Sequence, residues 1–326
     1  MHDAFRRVRR GKRFHPQLMR FYYELEDSLY RLAESLDNYS WRPGPFNEFW
    51  ITEIKPRFIA APPVLDRIVH WALMLRAMPI FERRFISDSF ACRVGKGTHL
   101  ASARARQFLR EATNRWGKPY ILKADISKYF PSIDQAILMR RVERIIADDH
   151  VLWLFDSIIR NNSPGYGTGV PIGSLTSQWL ANLYLDPLDH FMKDELGIKH
   201  YIRYMDDFVV IGPSKEWCKT VWGLVDAFAA TLKLKLNPKT GIWPASHGID
   251  FVGYRHWTDH VLPRKRTVKR AKKQFRTLRK QYAKGMIDLE YIRPRVASFT
   301  GYMKHCDGYK TLEHILGEFV LIKPSG

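Results

Sequence analysis

Three aspartates in two apolar stretches of the sequence could bind metal ions. Asp206 and Asp207 lie inside the apolar segment 200–211, which predicts two strands joined by a tight acidic turn. Asp125 ends a β-like run on another segment, 119–126. Carboxylate oxygens are ligands that Mg²⁺ prefers, and three carboxylates can hold two cations. The same residues also fit ordinary turn chemistry, in which Asp is common. A Tyr-x-Asp-Asp string arises by chance in a chain of this length at roughly the 4% level, so the string alone does not establish a metal site.

The charge of the chain indicates a polyanionic partner. The 326 residues include 53 Lys+Arg and 33 Asp+Glu, which gives a formal net charge of +20. The excess is concentrated between residues 261 and 290, where the acids are Asp288 and Glu290 and the bases are Arg264, Lys265, Arg266, Lys269, Arg270, Lys272, Lys273, Arg276, Arg279, Lys280 and Lys284. Nucleic acid is favoured over a membrane surface, because this stretch lacks a Trp/Leu insertion face.

Composition restricts the class of protein further. Hydrophobic residues make up 45% of the chain, enough for a sizeable core, and no apolar run approaches the roughly 18–20 residues of a membrane span. The first thirteen residues contain no apolar stretch typical of a secretory signal. Cys92, Cys218 and Cys306 are far apart, which disfavours a disulfide framework or a structural zinc site. We therefore expect a cytoplasmic protein without a membrane partner.

The elements that must position the three aspartates are predicted from periodicity and from Gly/Pro punctuation. Helices are predicted at 14–40, at 64–85 with an interruption at Pro79, near 134–147, at 173–195 with a kink or break at Pro187, at 214–235, and from about 264 onward. Extended segments are predicted at 48–61, 119–126, 200–211 and 249–262. Strands separated by helices, followed by a helical tail, predict the α+β class.

These segments resemble reverse transcriptases over nearly the whole chain, in family order. Asp125-x4-Phe130 and Tyr204-Met205-Asp206-Asp207 resemble palm motifs A and C. Further similar segments are Arg57-x4-Pro62-x3-Asp66-Arg67 and Asp88–His99 in the fingers, Leu236–Thr240 as motif D, Phe251–Tyr254 as the primer grip, and Gly301–His305 in the thumb. The resemblance implies a right-hand polymerase fold. It implies a helical N-terminal extension at 1–45, fingers at 46–119, a palm at 120–255 with a fingers insertion at about 136–170, and a basic helical thumb at 256–326.

The resemblance also implies the reaction and its catalytic groups. A primer 3′-hydroxyl would attack the α-phosphate of a dNTP and release pyrophosphate, with two Mg²⁺ ions as cofactors and Mn²⁺ able to substitute. The implied metal ligands are Asp125, Asp206, Asp207 and the backbone carbonyl of Ile126. Lys239 matches the motif D lysine that donates a proton to pyrophosphate, and a solvated loop lysine explains it equally well.

Other residues are implied to bind the nucleotide and the nucleic acid. Arg57 would grip the triphosphate with help from Lys55, and Phe130 would exclude a ribose 2′-hydroxyl. Ile172, Gly173 and Gln178 would lie near the nascent base pair, and Phe251, Gly253 and Tyr254 would form the primer grip. The phosphate backbone of an RNA template paired with a DNA or RNA primer would be bound by Arg264, Lys265, Arg266, Lys269, Arg270 and Lys273.

The segment 170–178 narrows the resemblance. Gly173-x3-Ser177-Gln178 is similar to the reverse transcriptases of diversity-generating retroelements, and Ile172 stands where group II intron and retroviral enzymes usually carry Gln. This implies low copying fidelity at template adenines, a structured noncoding RNA as template, and a small accessory variability determinant protein as partner. An antiviral-defence reverse transcriptase that copies an associated noncoding RNA is the alternative.

Other classes are less consistent with the residues. Little sequence follows the thumb-like segment, so maturase and endonuclease domains of group II intron proteins are not expected. An RNA-dependent RNA polymerase is disfavoured by Phe130 at the sugar-gate position. A catalytically silent RNA-binding scaffold would have no evident need for Asp125, Asp206 and Asp207.

Overall fold

The computed structural model of the chain describes residues 1–12, 14–52, 56–161 and 167–322. Within these ranges, no helix is both long enough and apolar enough to cross a lipid bilayer. Lys55, one of the predicted nucleotide-binding residues, lies outside the described residues.

The strands are short and pair in antiparallel ladders. They are β1 (Asn47–Thr52), β2 (Pro56–Ala61), β3 (Tyr120–Asp125), β4 (Tyr201–Tyr204), β5 (Asp207–Gly212), β6 (Gly241–Pro244), β7 (Ile249–Phe251), β8 (Tyr254–His256) and β9 (Val261–Pro263).

Helices make up most of the remaining structure. They are α1 (His2–Arg9), α2 (Pro16–Tyr23), α3 (Leu25–Asp37), α4 (Val64–Glu82), α5 (Thr98–Trp116), α6 (Tyr129–Ser132), α7 (Gln135–Glu143), α8 (Asp149–Ile159), α9 (Leu175–His190), α10 (Lys215–Thr231), α11 (Lys265–Ala283), α12 (Leu289–Met303) and α13 (Tyr309–Gly317). Helices together with antiparallel sheets confirm the predicted α+β class.

The chain divides into two compact units that alternate along the sequence. Unit 1 comprises Met1–Arg93, Asp125–Gly197 and Leu224–Pro238, and unit 2 comprises Val94–Ala124, Ile198–Gly223 and Lys239–Gly326. The predicted fingers, palm and thumb are consecutive stretches of chain, whereas the two units are interleaved. The units therefore do not test the predicted domain boundaries, which stay a prediction.

Unit 1 is built around helices α4 and α9. Helix α9 is buried on nearly all sides, because most of its side chains are apolar and packed. It contacts α4 and α7, while α1 covers α4 with Ala4, Phe5 and Val8. The hairpin β1–β2 also belongs to this unit.

Unit 2 contains the sheet with strand order β4-β5-β3-β6 and the sheet with order β7-β8-β9. Helix α5 packs against β4, β5 and β8 through a stripe of small and aromatic side chains that includes Ala105 and Phe108. The basic helix α11 packs with α12 and α13 around Phe275, Phe299 and Ile315. This apolar seam leaves the lysines and arginines of α11 in solvent.

Contrary to the prediction, neither Pro79 nor Pro187 ends its helix. Helix α4 continues through Pro79, because the buried Ala77 and Phe81 on either side hold it in register and offset a lost backbone hydrogen bond. Helix α9 likewise continues through Pro187 to His190. The irregularity follows the proline instead, as a π-helical turn at Phe191–Glu195.

Candidate functional site

The acidic turn joins β4 to β5 as predicted. Tyr204 ends β4, Asp207 begins β5, and Met205 adopts the left-handed conformation with a φ of 59°. Arg203 is fully buried, and its Nη1 donates a hydrogen bond to the Met205 carbonyl at 2.9 Å. The buried guanidinium therefore fixes the turn that presents Asp206, which is half-buried like Asp207.

A lysine neutralises Asp207. Lys123 lies on β3, the neighbour of β5 in the sheet, and its Nζ is 3.1 Å from Oδ2 of Asp207. The side chain is partly buried at 19% exposure, so this ion pair is less screened by water than a surface pair. Lys123 was not among the predicted site residues, although its position two residues before Asp125 indicates that both side chains share a face of β3.

Asp125 is the last residue of β3 and is held by Asn237. The Asn237 side-chain amide donates to Oδ2 of Asp125 at 3.0 Å, and its backbone N–H donates to the Asp125 carbonyl at 2.7 Å. Asn237 lies in the segment that resembles motif D, and no role was predicted for it. The side-chain hydrogen bond orients the Asp125 carboxylate, and the backbone hydrogen bond fixes the end of β3.

Ile126 pairs with Leu236 in an antiparallel bridge. The flanking residues form the hydrogen bonds of this bridge, among them the one from Ser127 N–H to the Lys235 carbonyl at 2.8 Å. In such a pair the central residue directs its own carbonyl away from the partner strand. The carbonyl of Ile126 therefore accepts no hydrogen bond from Leu236 in this bridge.

The segment 170–173 connects three of the predicted nucleotide-binding elements within unit 1. Val170 N–H donates to the Phe130 carbonyl at 3.0 Å, and the Ile172 carbonyl accepts from Ala60 N–H at 2.9 Å. Ala60 lies on β2, the strand that carries the exposed Arg57. One segment thus holds the backbone of Phe130, Ile172 and the Arg57 strand.

Gly173 is required by this close approach. Its φ is +122°, and a Cβ atom at this position would lie 2.8 Å from Cγ2 of Ile59 and 3.3 Å from the Ala60 carbonyl oxygen. Both the backbone conformation and the contact with β2 therefore exclude a side chain. Gln178 follows on α9, where it is half-buried.

Phe130 lies on the short helix α6 and is half-buried. The preceding Tyr129 is buried, and its hydroxyl donates to the Ala181 carbonyl on α9. The two rings contact edge to face with centroids 5.7 Å apart. Phe130 is consequently oriented by a buried neighbour and keeps part of its own ring surface accessible.

The remaining predicted residues lie in unit 2. Phe251 and Tyr254 are buried at the ends of β7 and β8, with Gly253 in the turn between them. Arg264 pairs with Asp250, which engages its charge. The other predicted backbone contacts are exposed on α11, namely Lys265, Arg266, Lys269, Arg270 and Lys273, and Lys239 is also exposed.

The donor chemistry around the aspartates is that of a site for hard cations. Carboxylate and carbonyl oxygens suit Mg²⁺ and Mn²⁺. No group of three or more His, Cys, Asp or Glu side chains in the described part of the chain is arranged to enclose an ion by itself. Mg²⁺ usually takes one or two carboxylates together with substrate phosphates and water, so the donor types present fit this ion.

A family model described as reverse transcriptase (RNA-dependent DNA polymerase) matches residues 52–256, more than half of the chain. The match includes the predicted palm segments and the hairpin β1–β2 except its first residues. It begins after the N-terminal helices and ends before the basic helices.

Curated relatives are 25–29% identical to this chain over the aligned residues. Protein YkfC of Escherichia coli (strain K12) is 25% identical over 272 residues, which cover 69% of this chain and 70% of YkfC. The group II intron-encoded protein LtrA of Lactococcus lactis subsp. cremoris is 25% identical over 176 residues, 51% of this chain and 28% of LtrA. The mitochondrial nuclear intron maturase 1 of Arabidopsis thaliana is 29% identical over 99 residues, 30% of this chain and 13% of the maturase. The chain thus spans less than a third of either intron-related protein.

Solved telomerase structures have a similar fold. A Candida albicans telomerase in complex with a TWJ fragment of telomeric RNA superposes with a TM-score of 0.53 at 14% identity, covering 75% of this chain and 54% of that chain. Apo telomerase from Candida tropicalis gives a TM-score of 0.50 at 13% identity, covering 79% of this chain and 56% of the other. These similarities confirm the predicted polymerase fold.

Proposed function

The chain belongs to the reverse transcriptase family, and we propose that it is an RNA-directed DNA polymerase that makes cDNA from an RNA template. The observation that carries the proposal is the anchored acidic turn. Arg203 fixes the turn that presents Asp206 and Asp207. A guanidinium is costly to bury unless it is paired, and this one is used to hold a turn that carries two adjacent carboxylates.

Asp125, Asp206 and Asp207, with the Ile126 carbonyl, would hold two Mg²⁺ ions, and Mn²⁺ could substitute. When bound, these ions would make the primer 3′-hydroxyl more acidic and compensate the charge of the triphosphate. The protein's own contribution is orientation: Asn237 fixes the Asp125 carboxylate, and Lys123 compensates the charge of Asp207. Lys239 would deliver a proton to the departing pyrophosphate.

The dNTP would bind along the elements joined by segment 170–173. Arg57 would bind the triphosphate as a guanidinium fork, assisted by Lys55. Phe130 would pack under the deoxyribose and exclude a 2′-hydroxyl. The hydrogen bonds that tie 170–173 to α6 and β2 support this assignment, and so does the space that Gly173 leaves for β2.

The template–primer duplex would bind through the hairpin β7–β8 and the exposed basic residues of α11. An RNA template is in line with the Candida albicans telomerase, whose structure contains a fragment of telomeric RNA. The concentration of positive charge on α11 supports binding of a phosphate backbone.

For the biological role, we propose error-prone copying in a diversity-generating retroelement. The support is Ile172, followed by Gly173-x3-Ser177-Gln178. This role includes a structured noncoding template RNA and an accessory variability determinant protein. The alternative is antiviral defence by copying an associated noncoding RNA, and the names of the relatives favour neither role.

The test is to isolate the protein from its native cell and to sequence the RNA and cDNA that it retains. The Asp206→Ala/Asp207→Ala double variant is compared with a matched control on α10, Glu216→Ala/Asp226→Ala, in which two exposed acids are removed. We expect retained RNA in all three proteins and cDNA in the wild type and the control alone. Aspartate-independent cDNA, or none in the wild type, would contradict the polymerase proposal.

The sequence of the cDNA separates the two roles. Substitutions concentrated at template adenines support the diversity-generating role. Accurate or repetitive cDNA from a noncoding RNA supports the defence role instead.

A further inference from the structure

The turn between β7 and β8 is held in a strained conformation. Its central residues, Val252 and Gly253, both have positive φ angles, 43° and 95°. This is the turn geometry that suits an antiparallel hairpin, and it is ordinarily occupied by Gly, Asn or Asp. A β-branched residue such as Val252 rarely adopts it, so the surrounding structure must stabilise the turn.

Tyr302 on α12 stabilises this turn directly. Its hydroxyl donates to the Gly253 carbonyl at 2.6 Å, and its ring stacks on Tyr254 with centroids 4.7 Å apart and planes 13° from parallel. In return, the Tyr254 hydroxyl donates to the Tyr302 carbonyl at 3.0 Å. The backbone N–H of Arg264 also donates to the Gly253 carbonyl, at 3.3 Å. The β7–β8 turn and α12 are therefore joined by one hydrogen bond in each direction, from Tyr302 to Gly253 and from Tyr254 to Tyr302.

Two histidines lie next to the tyrosine pair. His99 at the start of α5 stacks on His305 with centroids 3.4 Å apart and planes 17° from parallel. Its ring centroid lies 6.3 Å from that of Tyr254, and these two rings are tilted by 52°. The rings of His305, His99, Tyr254 and Tyr302 thus form a continuous series, which we call the ring column. Burial, followed by the neighbouring His305, lowers the pKa of His99, which favours the uncharged form of His99.

The ring column joins three segments that the sequence analysis noted separately. His99 ends the fingers-like segment 88–99, Tyr254 ends the primer-grip segment, and Tyr302 and His305 come from the thumb-like segment 301–305. Resemblance gave a role to the primer grip alone. The contacts show that the other two segments converge on it within unit 2.

We propose that Tyr302 and His99 are positioning residues that fix the β7–β8 turn so that it orients the 3′ end of the primer strand. This rests on the proposed polymerase function. A pre-organised turn aligns the attacking hydroxyl without further ordering at each cycle, and a misplacement of about 1 Å at such a position costs about 100-fold in rate. Tyr302 acts through the Gly253 carbonyl and His99 acts through the Tyr254 ring, and neither side chain itself touches the reacting atoms.

The test is single-nucleotide primer extension with a duplex that carries 2-aminopurine at the primer 3′ terminus. Tyr302→Phe removes one hydroxyl and keeps the stacked ring, and Tyr309→Phe on α13, whose side chain is 74% exposed, is the matched control. We expect Tyr302→Phe to lower kcat about three- to tenfold, the effect of one hydrogen bond. We also expect it to reduce the fluorescence change of the terminal base, while the KM for dNTP and the Kd for the duplex stay the same.

A second pair of variants separates positioning from folding. His99→Phe keeps a stacking ring and should retain the rate of primer extension. His99→Ala removes the ring and should lower the rate of primer extension, while the thermal midpoint stays unchanged. Equal kcat and terminal fluorescence for Tyr302→Phe and the wild type would overturn the positioning role alone. A wild type that extends no primer would overturn the polymerase function and this inference together.

Discussion

At the residue scale, each predicted carboxylate depends on a polar partner, which is distant in sequence for Asp125 and Asp207 and local for the Asp206 turn. Asp125 is oriented by Asn237, Asp207 is neutralised by Lys123, and the turn that carries Asp206 is fixed by Arg203. The aspartates could be predicted, because their spacing and flanking apolar runs are local signals. Asn237 lies 112 residues from its partner, a contact that local periodicity does not encode.

The hydrogen bond from Asn237 to Asp125 predicts a catalytic defect without a folding defect. Asn237→Ala removes the hydrogen bond that orients the carboxylate, so we expect kcat for primer extension to fall by about tenfold or more, the effect of one hydrogen bond to a charged group. The measurement is steady-state extension, with Asn114→Ala on the exposed face of α5 as control. An unchanged kcat would mean that Asn237 does not position Asp125 for catalysis.

Ile172 predicts how the enzyme makes errors. An aliphatic side chain offers no hydrogen bond near the nascent base pair, so Ile172→Gln should reduce misincorporation opposite template adenine by severalfold, about the worth of one hydrogen bond. Misincorporation ratios are measured for each template base, and the exposed Ile80→Gln on α4 serves as control. Identical error spectra for the Ile172→Gln variant and the wild type would show that Ile172 does not determine copying fidelity.

At the element scale, the least predictable features are close approaches between elements. The periodicity indicated α9 and the strand pair 48–61, yet it did not indicate that segment 170–173 pairs with β2. That pairing depends on Gly173 at a φ of +122°, where a Cβ atom would lie only 2.8 Å from the Ile59 side chain. Local rules, which include no packing, predict an interruption at Pro79 and a kink or break at Pro187, whereas burial of the neighbouring side chains keeps both helices continuous.

Gly173→Ala should uncouple β2 from segment 170–173. The added methyl group must displace β2 and requires a disfavoured φ, so we expect a lower thermal midpoint and a higher KM for dNTP through displacement of Arg57. Gly223→Ala, on an open face of α10 with no atom within 4 Å, should leave both quantities unchanged or slightly raise stability. An equal KM for dNTP in Gly173→Ala and the wild type would show that the position of β2 does not affect nucleotide binding.

Asp66 predicts a pH dependence of stability for the start of α4. Burial raises its pKa to about 6, although it accepts a hydrogen bond from Gly44 N–H. A carboxyl whose folded pKa lies above its unfolded value destabilises the fold increasingly as pH rises from about 4 to about 6, and the full cost remains above that range. Asp66→Asn should therefore raise the thermal midpoint more at pH 8 than at pH 5. The exposed Asp149→Asn should show no such difference, and equal gains for Asp66→Asn at both pH values would contradict the explanation.

At the scale of the whole molecule, the net charge of +20 predicts binding that weakens steeply with salt. Lys269, Arg270 and Lys273 are exposed on α11. Their replacement by alanine should make the slope of log K against log salt concentration shallower by roughly 0.9 for each phosphate that the protein no longer neutralises.

Filter binding of a template–primer duplex at several salt concentrations measures this slope. The matched control removes the same number of exposed basic residues elsewhere, at Lys118, Lys215 and Lys219. An equal change of slope in both triple variants would show that the basic residues of α11 contribute no more to duplex binding than exposed basic residues elsewhere.

The alternation of the two units along the chain has a consequence for synthesis on the ribosome. Helix α4 emerges early, but α9, against which it packs, is made about a hundred residues later, a delay of roughly 5–20 s at bacterial and eukaryotic elongation rates. Throughout that interval α1 can already cover part of α4, while the apolar surface that α9 will bury stays exposed. We therefore expect the nascent chain to be a client of ribosome-associated chaperones, and expression to be more sensitive to their depletion than the stability of the finished protein would indicate.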